Sequence, residues 1–540
     1  MRFFNTAGPV NCDDHYCLSP LDRFDLDEII SLIDQKKYFV LHAPRQTGKT
    51  TCLLALQDYL NKEGKYKCLY INVESAQGAR EDVYRGIRAI LSELADNARI
   101  FVKDDFIEKI WMNIIKSRGE DIALNAILSR WCENSKKPVV LLMDEIDSLI
   151  GDTLISVLRQ LRSGYNKRPS VFPQSIILCG VRDVRDYRIH SLREKAIITG
   201  GSAFNIKAKS LRLGDFGKNE ISVLYNLHTT ETGQKFESGC MDLVWKLTSG
   251  QPWLVNALGY EICFEMKQGR DRKNPISVSM IEQAKENIII RRDTHIDQLA
   301  DKLKEERVRR AIEPILAGKR VETEFYAEDV EYVIDLGLIK REQNGELNIA
   351  NKIYQEVIPR ELTWSTQMGI HEKAAWYIKP DDRLDMDKLL ASFQEFFREH
   401  SEHWMERFQY KEAGPQLLLQ AFLQRIVNSG GRVEREYGLG RMRTDLLVIW
   451  PIKAQSMKLK AQSMEARETQ RVVIELKVLH KSLDKTVSEG ILQTAEYMDR
   501  CATSSGHLII FDRSENVTWD QKIFRRLETC NGKKIVIWGM

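Results

Sequence analysis

The stretch Ala43-Pro44-Arg45-Gln46-Thr47-Gly48-Lys49-Thr50 constrains this chain more than any other. It follows a short apolar run at residues 37–42 and precedes a helical pattern at about residues 50–61. A glycine-containing loop between a buried strand and a helix can wrap a polyphosphate. Backbone N–H groups at the helix N-terminus point at the anion, and the helix dipole favours negative charge there. Gly48 permits close backbone approach, Lys49 brings a cation to the β- and γ-phosphates, and the Thr50 hydroxyl can ligate Mg²⁺. Ala43 stands where such loops usually open with glycine; a small residue is tolerated there if its φ is negative. Thr51 completes the segment assigned to the phosphates.

The surrounding sequence alternates strands and helices. Residues 68–73, 139–143 and 175–181 are short and almost wholly apolar, as strands inside a parallel sheet are, and amphipathic helical stretches separate them. This predicts a doubly wound α/β domain. The run at 139–143 ends in Asp144-Glu145. An acid at the end of a buried strand beside a phosphate loop is where Mg²⁺ is held, which fits Asp144 and leaves Glu145 to orient or deprotonate an attacking water. Asp147 suits a capping or supporting position.

With 540 residues the chain exceeds one ordinary core. Its 43% hydrophobic and 29% charged residues fit folded domains and not disorder. The formal net charge of +3 means that any nucleic-acid surface is a local patch. Ten cysteines without a CxxC pair or a Cys/His cluster argue against a zinc site or disulfide framework, and for a reducing, cytoplasmic setting. The first residues lack the apolar core of a signal peptide, and no apolar run approaches the ~20 residues of a spanning helix, so no membrane role is expected.

Beyond residue 215 the pattern turns helical. Residues 301–365 read as a winged helix, with Asn344-Gly345 as the turn between two short strands. Its tip carries few cations, and the basic run Lys302, Lys304, Arg307, Arg309, Arg310 is interleaved with acids like an ordinary solvated helix face, so a structural or regulatory role is favoured. Polar residues 379–382 suggest a connector. A helix at about 416–428 and strands at 443–450, 471–478, 507–512 and 534–538 make a second, smaller α/β unit. Residues 453–457 and 460–464 are a tandem duplicate, read as a surface loop, and 393–410 is read as helical packing.

That unit carries its own constellation. Asp445 opens one apolar strand, and Glu475 and Lys477 share a face of the next because side chains alternate along a strand. Glu412 is a third acid just before a helix, and Gln493 and Tyr497 share one helical face. Phosphodiester hydrolysis needs this inventory: carboxylates to hold a divalent cation through oxygen, and a lysine to orient water or stabilise the transition state.

On these residues the chain resembles two families. The Walker A run with Asp144-Glu145 resembles AAA-type P-loop ATPases of the additional-strand class, including the branch related to STAND signalling ATPases. The resemblance implies ATP and Mg²⁺ as ligands and sites formed between subunits, hence a homo-oligomer. Residues 175–181 followed by Arg182 and Arg185 sit where such ATPases carry a sensor; either arginine contacts phosphate or makes a surface salt bridge. Gly250-Gln251-Pro252 is similar to the GxP motif of the STAND lid, near the adenine, although a helix start with proline explains Pro252 equally. The opening Phe3-Phe4-Asn5-Thr6-Ala7-Gly8-Pro9 with His15-Tyr16 looks like that of a bacterial AAA-like group, where His15 and Tyr16 either cover the base or belong to a docked segment. The second set resembles the PD-(D/E)XK nuclease fold: Asp445 as the D, Glu475-Leu476-Lys477 as the ExK, Glu412 as the leading acid, and Gln493 to Tyr497 as the QxxxY element of its exonuclease branch. Asp445 and Glu475 then hold Mg²⁺, for which Mn²⁺ can substitute. The Asp445–Glu475 separation exceeds the usual one, which the duplicated loop accounts for.

The expected architecture is α/β multidomain: an AAA-like core with a doubly wound parallel sheet (1–215), a helical lid (216–300), a winged helix (301–365), a connector (366–400) and a restriction-endonuclease-like α/β domain (401–540). The expected function is ATP binding and hydrolysis that regulates Mg²⁺-dependent cutting of DNA, with genome defence as the setting that the resemblance implies. The alternatives are a STAND-like assembly switch whose C-terminal domain binds nucleic acid without cutting, a DNA translocase, and an ATPase acting on protein partners.

Overall fold

The computed structural model describes residues 1–183, 188–191, 196–291, 293–316, 327–362, 377–407, 419–420, 422–423, 432–439, 442–452, 469–479, 482–512, 514 and 517–540. Glu412, Arg185 and the tandem loop at 453–464 lie outside the described residues. The chain forms two compact units, residues 1–297 with 330–341 and 350–353, and residues 298–329 with 342–349 and 354–540. Among the described residues no helix is long and apolar enough to cross a membrane.

In the first unit, α1 (Leu26–Asp34) begins at Asp25, whose carboxylate accepts the Glu28 N–H, and leads into β1 (Tyr38–His42). There follow α2 (Lys49–Glu63), β2 (Lys67–Asn72), α3 (Val83–Phe101), α4 (Phe106–Arg118), α5 (Glu120–Asn134), β3 (Val139–Asp144), α6 (Gly151–Ser163) and β4 (Ser175–Gly180). An antiparallel pair, β5 (Arg188–Ser191) and β6 (Ala196–Thr199), precedes α7 (Gly200–Ala203) and β7 (Lys207–Arg212). Five strands make one parallel sheet in the order β2-β3-β4-β1-β7. Every residue of β3 and β4 is buried, because helices cover both faces. One core holds Leu69, Ile90, Trp131 and Leu141 on the α3–α5–α6 side; the other holds Ile29, Phe39, Leu53 and Leu142 on the α1–α2 side. Strand β7 was not expected from the sequence. Its Lys-Ala-Lys-Ser-Leu-Arg is largely exposed at the sheet edge, where charge is the normal protection against further pairing.

A helical layer follows: α8 (Lys218–Thr232), α9 (Cys240–Thr248), α10 (Pro252–Tyr260), α11 (Lys267–Arg270) and α12 (Val278–Arg291). Gly250 between α9 and α10 has φ +85°, and a Cβ there would come 2.0 Å from the Phe216 carbonyl oxygen, so glycine is required. The N-terminal segment docks on this layer. Phe4 and Tyr16 are buried, Trp253 Nε1 donates to the Thr6 carbonyl, and Arg2 pairs with Glu231. Cys12 and Cys17, five positions apart, are joined by a disulfide, a single local link and not the framework that the cysteine spacing argues against. Eight others are free, seven of them buried.

Helices α13 (Thr294–Lys302), α14 (Glu306–Leu316), α15 (Ala327–Asp335) and α16 (Lys352–Leu362) and the short strands β8 (Ile339–Arg341) and β9 (Leu347–Ile349) come next, and the division between the units runs through them. Gly345 turns the chain with φ +84°, and its N–H donates to the Glu342 carbonyl. Lys302, Lys304, Arg307 and Arg310 are paired with Glu305, Asp301, Glu305 and Asp329.

The second unit contains α17 (Met386–Arg407), β10 (Arg432–Leu439), β11 (Met442–Pro451), β12 (Thr469–Val478), α18 (Leu483–Arg500), β13 (Ser505–Phe511), α19 (Trp519–Lys522), β14 (Phe524–Cys530) and β15 (Lys533–Gly539). Its sheet runs β10-β11-β12-β13-β15-β14, with β10, β11 and β12 antiparallel and β13 parallel to both β12 and β15. Met498 and Ala495 of α18 pack on Val473, Leu508 and Ile537. Phe393 and Phe397 of α17 are buried against Phe422 and Phe511. The two strands that the sequence did not suggest, β10 and β14, are the sheet's edges and carry charges at alternate or adjacent positions.

Candidate functional site

The C-terminal ends of β1, β4 and β3 lie side by side, because β4 is inserted between the other two. The chain leaves β1 through Ala43, Pro44, Arg45, Gln46, Thr47 and Gly48, and enters α2 at Lys49. Gly48 has φ +92° and caps α2 without a side-chain bond, so the first N–H groups of a fifteen-residue helix are left for another acceptor. Gln46 also has a positive φ, 59°. Lys49 is 5% exposed; its Nζ donates to the carbonyls of Ala43 and Pro44 at 2.9 and 3.0 Å, which folds the loop around the ammonium group.

Asp144 is fully buried at the end of β3. Its Oδ2 accepts from Thr50 Oγ1 at 2.7 Å and from Tyr70 OH at 3.1 Å, and its Oδ1 accepts the Glu145 N–H at 2.9 Å. Burial, followed by the Asp144 charge, pushes the Tyr70 hydroxyl well above its ordinary pKa, so it stays a donor. Glu145 has φ +57°, which turns its side chain out of the strand direction. Its carboxyl is held above the usual range by burial, then by Asp147 and Asp144. Asp147 supports the site from behind: its Oδ1 accepts the Val181 N–H at 3.1 Å, tying the end of β3 to the end of β4. Arg182, two residues beyond β4, lies 3.5 Å from the Asp335 carboxylate and 4.8 Å from the Tyr332 ring centre. A Cβ at Gly337 would come within 2.7 Å of Pro44, so the turn after α15 packs on the loop itself.

A cleft opens beside the loop. Gln46, Thr47, Gly48 and Thr51 form one wall, the N-terminal segment a second, and Pro252, Trp253 and Asn256 of α10 a third. Thr51 Oγ1 accepts the Val10 N–H at 3.0 Å. Arg23 spans the rim, donating to the Thr47 and Gly214 carbonyls and stacking on Phe216. Pro252 is the first residue of α10, where its missing N–H costs nothing, and it also lines the cleft. Tyr16 lines the cleft too, while its hydroxyl bonds His228 Nδ1 at 3.0 Å; His15 instead bonds the Asn11 N–H and packs on Phe3.

In the second unit, Asp445 on β11 and Glu475 and Lys477 on β12 come together. Asp445 Oδ2 accepts the Leu476 N–H at 2.8 Å, and Lys477 Nζ lies 2.8 Å from Glu475 Oε1. Glu475 is 3% exposed, and among the described residues nothing donates to its Oε2. Burial, then the Asp445 charge, push its carboxyl up to about 7, against the pull of Lys477. Tyr497, on α18, feels both Glu475 and Asp445 and is pushed up to about 12, chiefly by burial. Gln493 is half-buried one turn earlier on the same helix. A buried, unpartnered carboxylate oxygen beside a second carboxylate fits a divalent cation. Among the described residues, however, no group of three His, Cys, Asp or Glu side chains is placed to hold one.

Residues 33–187 match the family model of an AAA domain. This segment is a P-loop ATPase core. No curated protein matches the chain's sequence. Among solved structures it is similar to a Walker-type ATPase of Pyrococcus abyssi, at 13% identity over 66% of this chain and 99% of that one, with a TM-score of 0.45. It is similar also to Cdc6p of Pyrobaculum aerophilum, at 15% identity over 64% and 93% with a TM-score of 0.34. A third is the RuvB Holliday junction branch migration motor of Thermotoga maritima, at 13% identity over 62% and 95% with a TM-score of 0.32.

Around the ATPase core, three contributors escaped the sequence reading. Tyr70 sits on a strand whose alternation looks like plain core, and only strand order brings it to Asp144. Arg23 and Asn256 reach the cleft from elements far apart in sequence, with no motif to mark them.

Proposed function

We propose that this protein binds and hydrolyses ATP with Mg²⁺ in its AAA core and uses the nucleotide state to license a Mg²⁺-dependent nuclease site acting on DNA in its second unit. The observation that carries the nuclease reading is Glu475: buried, one oxygen facing Lys477, the other without a donor among the described residues, and Asp445 alongside. A carboxylate is kept in such a place at a cost of several kcal/mol unless something charged compensates it. Asp445 and Glu475 are the residues that would hold the cation. Bound there, Mg²⁺ or Mn²⁺ would neutralise charge on a phosphodiester and make water easier to deprotonate. Lys477, on the same strand face and half-buried, is positioned to meet a phosphate oxygen. Tyr497 keeps its proton and can donate to the backbone of the nucleic acid.

In the ATPase core, Lys49 and the uncapped turn of α2 receive the phosphates, and Thr50 and Asp144 are the pair that would hold Mg²⁺. Glu145, with its raised pKa, is the better proton acceptor for the attacking water. A second reading, a nucleotide-driven switch whose C-terminal unit binds nucleic acid without cutting, is favoured by the absence, among the described residues, of a third carboxylate, histidine or cysteine placed with Asp445 and Glu475. Cleavage of DNA by the wild type beside Asp445→Ala and Glu475→Ala separates them. Loss of cutting in both variants with DNA binding retained supports the nuclease; cutting by neither the wild type nor the variants, with equal DNA binding, supports the switch.

A further inference from the structure

The cleft beside the phosphate loop has three walls, and their polar side chains are largely spoken for. Asn5 uses Nδ2 on the Gly8 carbonyl and Oδ1 on the Ala7 N–H. Thr47 donates to the Pro44 carbonyl, and Thr51 accepts from Val10. Gln46 Oε1 is unpartnered among the described residues but wholly buried in the phosphate loop.

Asn256 differs. It lies on the second turn of α10, lines the cleft and is 8% exposed. Its Nδ2 donates to the Pro252 carbonyl at 2.9 Å, one helical turn back, which fixes the amide orientation because only the nitrogen can donate. Its Oδ1 has no donor among the described residues, and the residue lines the cleft. The helix that carries it is held on two sides: Trp253 Nε1 bonds the Thr6 carbonyl, and the Val255 carbonyl accepts from Tyr225 OH. Asn256 therefore presents a preorganised acceptor to whatever occupies the cleft.

We infer that Asn256 Oδ1 reads the exocyclic 6-amino group of the nucleotide base and so selects adenine over guanine. This rests on the reading that the cleft holds the nucleoside of the ligand bound at Lys49. Gln46, Thr47 and Gly48 of the P-loop and Asn256 of α10 line the same cleft. In a purine nucleotide the 6-substituent is on the base edge remote from the phosphates, and on this inference, with the phosphates on the P-loop, that edge lies at Asn256. Adenine offers an N–H donor at that position. Guanine offers a carbonyl, which would set two acceptors against each other in a largely desolvated place, and a purine without the 6-amino group would leave Oδ1 unpaired. A site built around a hydrogen bond discriminates against analogues that lack it.

The test is equilibrium binding of ATP, purine riboside triphosphate and GTP to the full chain, wild type and Asn256→Leu. The wild type is expected to bind ATP about tenfold more tightly than purine riboside triphosphate, with GTP weaker still. In Asn256→Leu the tenfold preference is lost, and ATP and purine riboside triphosphate bind with equal affinity. Equal wild-type affinities for ATP and purine riboside triphosphate, or tighter binding of GTP, overturn the inference without reference to any variant. An undiminished ATP preference in a variant with the wild-type melting midpoint overturns it as well. Failure of all three nucleotides to bind the wild type removes the cleft assignment itself, an outcome distinct from binding without base preference.

Discussion

Replacing Tyr70 by phenylalanine removes one oxygen from the ATPase site and nothing else. The Tyr70 hydroxyl donates to Asp144 Oδ2 at 3.1 Å, while Thr50 Oγ1 reaches the same oxygen at 2.7 Å and the Glu145 N–H reaches Oδ1 at 2.9 Å. Asp144 has no solvent exposure, so water cannot replace a lost donor. A hydrogen bond to a buried charged group contributes about 1.5–3 kcal/mol, and the longest of three belongs at the lower end, about 1.5 kcal/mol. In a domain of this size each kcal/mol moves the melting midpoint by about 2–4 °C, so Tyr70→Phe should melt roughly 3–6 °C lower. With Thr50 alone orienting Oδ2, the Mg²⁺ concentration for half-maximal ATP turnover should rise about tenfold, the usual scale for losing a group that orients a metal-binding carboxylate. Differential scanning fluorimetry and a Mg²⁺ titration of steady-state ATP hydrolysis measure both. A variant that matches the wild type in both would refute the role given to strand β2 in holding Asp144.

Glu145→Gln keeps the shape of the site but removes the proton acceptor; ATP binding should persist while turnover falls by about a hundredfold or more, read by filter binding and phosphate release. Gly250→Ala puts a Cβ 2.0 Å from the Phe216 carbonyl oxygen at φ +85°; the left-handed backbone alone costs about 1–2 kcal/mol, so the variant should melt lower and bind ATP more weakly because Phe216 lines the cleft. His507 is buried, accepts from Trp538 Nε1 at 3.2 Å, and is pushed down to about 4 from 6.5, chiefly by burial. A depressed histidine pKa means that the unfolded chain takes up the proton first, so stability is lost as pH falls from 6.5 towards 4, by up to about 3 kcal/mol. Urea unfolding of the full chain between those pH values should show a shallower pH slope in His507→Leu than in the wild type, and equal slopes would remove His507 from the acid response.

What the sequence made legible is what neighbouring residues determine. The run from Ala43 to Thr50 needs only its flanking strand and helix to be read as a phosphate loop, and β3 announces itself by six buried residues ending in an acid. Asp445, Glu475 and Lys477 are legible for the same reason: strand alternation is local. Strands β7, β10 and β14 escaped because edge strands carry charge and do not show the apolar run of a central strand. The fate of Arg182 could not be read either. Its partners, Asp335 and Tyr332, are about 150 residues away in the chain, and only the tertiary fold makes them neighbours. Asn256 is a helical asparagine like any other until the N-terminal segment closes the opposite wall.

The most direct test of the central claim is DNA cleavage with and without ATP by the wild type, Lys49→Ala and Glu475→Ala, assayed together on linear, circular and single-stranded substrates in Mg²⁺ or Mn²⁺. The account predicts that the wild type cuts in an ATP-dependent manner, that Glu475→Ala hydrolyses ATP but does not cut, and that Lys49→Ala loses the ATP response. Cutting by Glu475→Ala at the wild-type rate, or cutting by the wild type that is indifferent to both ATP and the Lys49 substitution, would contradict it.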